Sequence, residues 1–343
     1  MREAPWPAGI RAIVYGVGEM GSLATRLLVE RSVEIVGAVG RSPEKVGRDL
    51  GEVTGLGRAI GVPIEADADT VLGRGADIAV VCVGSYLKTM HPHFEVCLAN
   101  KVNVVTIEEE TIFPWSTSPD LSASLDGLAK ANGVTLAASG AQDVFWVNLV
   151  TTLLGASHRV DSVTGYCCWN VDDYGPEVAG HLLVGQSKKY FDQFVSEHGW
   201  PEFVARQTVE AMVSQLGLTP KATRSDVEPV VAKEAVRCQS LGREIAPGEI
   251  IGTVDRTRLS TIEGPEFEFR MEGRVYRANE GDQNHWQVSG EPALQLSNEG
   301  VPYRFTTCST VVNRIPDVIS AEPGLFSLDR LGPAQYRHCA SLA

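Results

Sequence analysis

Three consecutive acids, Glu108, Glu109 and Glu110, stand in the string TIEEETIFPW (Thr106 to Trp115), directly after a run of β-branched apolar residues. Like charges crowded at the end of a buried strand would push at least one carboxyl pKa up toward neutrality, where it exchanges protons readily. Strand alternation sends neighbouring side chains to opposite faces, so only part of the trio can share a ligand, and Glu109 is the residue expected to act as acid/base. A solvated acidic turn or helix start accounts for the same letters equally well.

A second chemical signature lies near the start. In VYGVGEMGS, Gly16, Gly18 and Gly21 have the GxGxxG spacing between a strand-like run and a helix-like one. There Gly16 permits a tight turn, Gly18 lets backbone approach a pyrophosphate, and Gly21 lets helix and strand pack closely, while the helix N-terminus attracts the anion. The turn, with Val17, Glu19 and Met20 between its glycines, is expected to bind a nicotinamide dinucleotide. The next strand ends in Val39-Gly40-Arg41-Ser42-Pro43 with no acid to accept a ribose 2′-OH. Arg41 and Ser42 suit a 2′-phosphate instead, so NADP(H) is preferred and NAD(H) remains possible. Gly84 and Ser85, after the run Asp77 to Val83, are expected to be further cofactor contacts.

Polar candidates for a substrate pocket are Gln142, Asn170 and Tyr174, with Asp172 and His181 nearby and Phe145, Trp146 and Trp169 as walls. Each of these aromatics is individually more readily explained as plain core. His91 and His93, in MHPH, have no further partners at metal-ligand spacing and read as a solvated helix start; no metal site is expected.

The elements that must position these groups alternate. Arg11 to Val14, Val33 to Val39, Asp77 to Val83, Val102 to Ile107 and the end of Ala129 to Ala138 read as strands with helical segments between them, which predicts a parallel sheet. Beyond about residue 140 the style changes. Val147 to Leu154 reads as an apolar helix, Val160 to Trp169 as a strand, and Glu177 to Ser214 as a polar helical region. Glu249 to Gln295 then breaks into strand-like pieces (FEFRM, VYRAN, HWQVSG, ALQL) of a mostly antiparallel sheet. Thr306 to Val318 reads as a helix stopped by Pro323-Gly324. The expected fold is α/β: a Rossmann-type parallel-sheet domain over 1–140, an α+β substrate and dimerisation domain with an open sheet over 141–305, and a helix and tail over 306–343 that pack back on the first domain.

The chain's 343 residues are 43% hydrophobic and 21% charged, a globular profile long enough for two domains. A net charge of -13 argues against nucleic acid or anionic membrane as a partner. No apolar run is long enough to span a bilayer and no secretory leader is visible. The seven cysteines show no CxxC spacing, which fits a reducing cytoplasm and gives no cysteine an evident histidine partner for nucleophilic work.

Taken together, VYGVGEMGS, AVGRSPEKVGRDLGEVTGL, TIEEETIFPW, DVEPVVAKE, IAPGEIIG and STVVNRIPDVISAEPGL resemble, in order, the 2,4-diaminopentanoate dehydrogenase and native amine dehydrogenase family. The first domain of that family is similar to that of dihydrodipicolinate reductase. The resemblance implies an NAD(P)-dependent oxidoreductase acting on CH-NH2 groups, which deaminates an amine oxidatively or aminates an aldehyde or ketone reductively with ammonia. It also implies a homodimer built on the open sheet, and an acid/base at Glu109 with Glu110 beside it. The chain departs from the family in SGAQDVFWVN (Ser139 to Asn148), and with no evident arginine clamp this favours a small carbonyl compound or amine lacking a carboxylate. The rival expectations are a dihydrodipicolinate-reductase-like reducer of preformed imines and a non-catalytic dinucleotide-sensing dimer.

Overall fold

A computed structural model describes residues 6–201 and 204–337; Cys339, among the cysteines counted above, lies outside them. The chain forms two compact units, residues 1–144 with 305–343, and residues 145–304.

The first unit begins as repeated strand and helix: β1 (Arg11–Tyr15), α1 (Glu19–Glu30), β2 (Glu34–Val39), α2 (Leu50–Val53), β3 (Ile64–Glu65), α3 (Ala68–Leu72), β4 (Ile78–Val81), α4 (Leu87–Ala99), β5 (Asn103–Thr106), α5 (Pro119–Asn132) and β6 (Thr135–Ala138). Its central strands are largely apolar and buried on both faces, as IAVV of β4 and TLAA of β6 show, because helices cover both sides of a parallel sheet. α5 starts with Pro119 and stops at Gly133, whose left-handed φ of 71° ends the helix before β6.

The second unit contains α6 (Leu149–Leu154), β7 (Arg159–Asn170), α7 (Pro176–His181), α8 (Lys188–His198), α9 (Ala205–Gln215), β8 (Pro220–Val231), β9 (Val236–Cys238), β10 (Arg243–Ile245), β11 (Ile250–Thr261), β12 (Glu266–Arg274), β13 (Gln283–Glu291) and β14 (Leu294–Glu299). Six of its strands form one sheet in the order β14-β13-β7-β12-β11-β8, antiparallel except where β12 runs parallel to β7. α8 and α9 pack on one face of it. The chain then enters α10 (Tyr303–Ser320) and β15 (Gly324–Phe326), and β15 joins the parallel sheet at its edge, giving the order β15-β6-β5-β4-β1-β2-β3. Both sheet types are those expected from the alternation and spacing of the strands.

Three local expectations are corrected. VYRAN is not a strand: Val275 is fully buried in a local core, and the N–H groups of Tyr276 and Arg277 donate to Asn170 and Glu280 side chains, so no ladder is left to make. β8 was not foreseen, because an edge strand of mixed polarity that tolerates Pro229 lacks the apolar signal of a central strand. His91 and His93 do not lie at a solvated helix start; both are inside α4, and His93 Nδ1 is 2.8 Å from the Tyr15 hydroxyl.

Candidate active site

The glycine turn has the shape an extended diphosphate needs. A Cβ on Gly16 would lie 2.4 Å from the Cys82 carbonyl, and one on Gly21 would lie 1.8 Å from the Gly16 carbonyl, so both positions must be glycine. Gly18 is different: nothing stands within 4 Å of the place its Cβ would take, and as the N-cap of α1 it offers no side chain to the free N–H groups there. That open space before an uncapped helix N-terminus fits a pyrophosphate. Val17 is buried, Glu19 is exposed, and the Met20 carbonyl accepts a bond from Cys308.

Arg41 is exposed just beyond β2. The Ser42 hydroxyl is engaged by Glu44, whose carboxyl it holds below its usual range, and would have to turn away to meet a phosphate. Lys45, which the sequence reading missed, reaches back to the glycine turn, its Nζ donating to the Val17 carbonyl at 2.8 Å. The only signal for it was a second cation four residues after Arg41.

The three acids beyond β5 divide into distinct jobs. The Thr106 hydroxyl donates to the Val81 carbonyl at 3.0 Å and accepts the Glu108 N–H at 3.0 Å, which anchors the loop to β4. Glu108 is fully buried and its carboxyl accepts the N–H groups of Glu110 (3.2 Å) and Thr111 (2.7 Å), closing the short 3-10 turn Glu110–Ile112. Burial pushes its pKa well up, and the neighbouring carboxyls add to the effect.

Glu110 does not match its expected place beside the acid/base. One of its oxygens accepts the N–H of Leu87, first residue of α4, at 2.8 Å, and the other accepts the hydroxyls of Ser118 (2.6 Å) and Thr117 (3.0 Å). Both oxygens are occupied, so this carboxylate ties the loop to the start of α4 and to the start of α5.

Glu109 remains. It is partly buried, and its carboxyl is hydrogen-bonded by the Ser85 side chain. Burial pushes its pKa up to about 7, with Ser85 working against the shift. Gly84 and Ser85 are thereby placed beside the expected acid, and Glu110, by holding Leu87, holds the Ser85 loop there too.

In the same unit Gln142 is buried, with its carboxamide against Gly140, and Asp143 makes a fully buried two-point pair with Arg314 of α10, at 2.7 and 2.8 Å, further braced by the Ser139 hydroxyl at 2.7 Å. Sequence reasoning missed this pair. Gln142–Asn148 is a π-helical turn, a rare wide-turn geometry frequently found at functional sites.

In the second unit Trp146 belongs to the packed interior, its ring 5.4 Å from that of Phe269 and its indole N–H bonded to the Tyr303 hydroxyl. Phe145 is partly buried, with its carbonyl bonded by Asn284. Trp169 and Tyr174 meet edge to face at 5.1 Å. The Asn170 side chain accepts the N–H groups of Asp172 and Tyr276, and Asp172 receives those of Gln239 and Ser240. Asn170 and Asp172 therefore brace loops. Among the described residues no group of His, Cys, Asp and Glu could hold a metal ion.

The 2,4-diaminopentanoate dehydrogenase C-terminal domain family matches residues 145–336 of this chain. The solved structure of an amine dehydrogenase from Mycobacterium smegmatis is 49% identical, with a TM-score of 0.92, over 96% of this chain and 97% of that one. The 2,4-diaminopentanoate dehydrogenase of Acetoanaerobium sticklandii is 26% identical over 93% of this chain and 92% of its own length. An amine dehydrogenase of Streptomyces virginiae is 24% identical over 92% and 94%.

Proposed function

The chain belongs to the 2,4-diaminopentanoate dehydrogenase family, and from that premise we propose an NAD(P)-dependent amine dehydrogenase that interconverts a small aldehyde or ketone plus ammonia with the corresponding amine. The observation that carries the reading is Glu109, a carboxyl poised at about 7 by burial while Glu108 and Glu110 spend their oxygens on backbone and hydroxyl donors. A general acid/base works best with a pKa near the operating pH.

A nicotinamide dinucleotide supplies or accepts the hydride when bound. The residues that would hold it are Gly16 to Gly21, Gly84 and Ser85, with Arg41, Lys45 and Ser42 toward a 2′-phosphate; NADP(H) is the preferred cofactor. In the aminating direction ionised Glu109 takes a proton from ammonium, and the freed ammonia adds to the carbonyl. The protonated carboxyl then returns its proton to the carbinolamine hydroxyl, which leaves as water. The resulting iminium cation is stabilised by the carboxylate beside it.

The substrate is proposed to lack a carboxylate of its own, a reading supported by four arginines of the second unit, Arg256, Arg258, Arg274 and Arg277, that are paired with acids of that unit. Gln142, Phe145, Trp146, Trp169, Asn170 and Tyr174 stay in the proposal as pocket residues. A homodimer belongs to it as well, as does a reducing cytoplasmic setting, which the six described cysteines, all buried and in no disulfide, support.

Glu109→Gln is expected to lower kcat by at least about a hundredfold while leaving the dissociation constant for NADPH within about twofold. Turnover equal to that of the unsubstituted protein would remove Glu109 from the mechanism. NADPH oxidation with cyclohexanone should require ammonium; activity without it would point to reduction of a preformed substrate instead.

A further inference from the structure

Asp255 is a carboxyl that the proposed reaction does not use. It lies in β11 on the sheet face covered by α8 and α9, between Val227 of β8 and Met271 of β12. Its Oδ1 accepts the Trp200 indole N–H at 2.7 Å, and its Oδ2 has no hydrogen-bond partner among the described residues. The carboxyl borders a recess of about 340 Å³ whose apolar side is made by Val195, Trp200, Pro201, Ala205 and Val227. Across from these walls stand the hydroxyls of Ser225 and Thr257, 2.9 Å apart.

Among the described residues no charged side chain acts on the acid. Asp226 and Arg256 also border the recess, but alternation turns their side chains to the opposite face of the sheet, where they lie 3.6 Å apart. On α9, Arg206 is paired with Glu210 at 2.9 Å. Left uncompensated, Asp255 is pushed up to about 7 by burial, and the Trp200 bond offsets only part of that. α9 packs on β11 and β12, its first residue, Ala205, borders the recess, and its last, Gln215, bonds to Asn148.

The geometry points to a binding site for a primary alkylammonium ion, its charge on Asp255 Oδ2 and its chain along Trp200, Val195 and Val227. A carboxylate beside an indole attracts an organic cation. Anions are repelled, and a bare metal ion would find one carboxyl and two hydroxyls against apolar walls, too few oxygens for its shell. The site does not depend on the proposed reaction, although its ligand belongs to the same class as that reaction's amine.

The test separates the two. Full-length protein carrying Glu109→Gln is titrated calorimetrically with n-butylammonium chloride at pH 8, with potassium chloride at equal strength as control. One saturable ammonium site without a potassium counterpart is expected. Its affinity should fall roughly tenfold between pH 8 and pH 6 as Asp255 takes up a proton. Adding Asp255→Asn should weaken it at least about tenfold. Val227→Phe, which fills the recess and keeps the carboxyl, should do the same and decides the matter if the asparagine variant fails to fold. No saturable binding, binding matched by potassium, or binding unchanged in the folded variants overturns the site. The effect of Glu109→Gln on turnover is read separately, so failure of this inference and failure of the proposed reaction give different results.

Discussion

A carboxyl held at about 7 is a cost to the fold as well as a tool. The sign follows from proton counting. An unfolded glutamate titrates near 4.5, so between 4.5 and about 7 the folded state keeps a proton that the unfolded state has lost. Stability therefore falls as pH rises through that window, by up to about 3 kcal/mol if Glu109 acts alone. Glu109→Gln removes the titration, so thermal scans should show the variant gaining on the unsubstituted protein from pH 5 to pH 8, with most of the gain between pH 5 and pH 7. A constant difference across that range would mean that Glu109 ionises as freely folded as unfolded. The proposed preference for NADP(H) rests on single residues too. Arg41→Ala and Lys45→Ala should each weaken NADPH binding by about tenfold and NADH binding by less than about twofold, measured by fluorescence of the bound dinucleotide. An unchanged ratio would remove the 2′-phosphate from that corner.

Elements place those residues, and two carboxylates do most of the placing. Glu110 bonds the first N–H of α4, and α4 begins two residues after Ser85, so Glu110→Ala should let the Ser85 loop drift. The expected result is a fall in kcat of about ten- to a hundredfold and an acidic limb of the pH profile displaced from that of the unsubstituted protein, with cofactor affinity changed little. An unshifted limb would show that Glu110 does not govern Glu109. The buried Asp143–Arg314 pair does the same for the end of β6 and for α10. Arg314→Met strands a buried carboxylate and should cost about 3–5 kcal/mol in urea unfolding, whereas adding Asp143→Asn should return part of it. What could be read from sequence follows from the range of each interaction. The glycine turn was legible because close approach dictates the residue at Gly16 and Gly21 over a few positions. That Glu110 spends an oxygen on Leu87, 23 residues away, and that Asp143 pairs with Arg314, 171 away, could not be read, because no local pattern survives over such distances. VYRAN alternated for a reason of its own, a single buried valine, and β8 hid because its edge position asks for no apolar run.

At the scale of the whole molecule, the proposed homodimer would have to form against long-range repulsion, since each chain carries a charge of -13. Contact has to come from a locally complementary surface. In the second unit, the sheet face away from α8 and α9 offers a row running Asp226, Arg256, Arg270, Tyr166, His285 across five strands. Two arginines stand directly opposite each other in it, and the Nε groups of both are buried without a hydrogen-bond partner among the described residues. Directly opposed like charges destabilise a sheet, and buried donors without acceptors cost more. A second copy related by a twofold axis would present its own acids and hydroxyls to these donors, which is how an isologous interface satisfies a self-complementary patch. Arg270→Glu should therefore break the proposed homodimer: light scattering after gel filtration should report the mass of one chain instead of two, with circular dichroism unchanged. A dimer that survives the substitution would move the interface to another face and leave the two arginines to be satisfied by water.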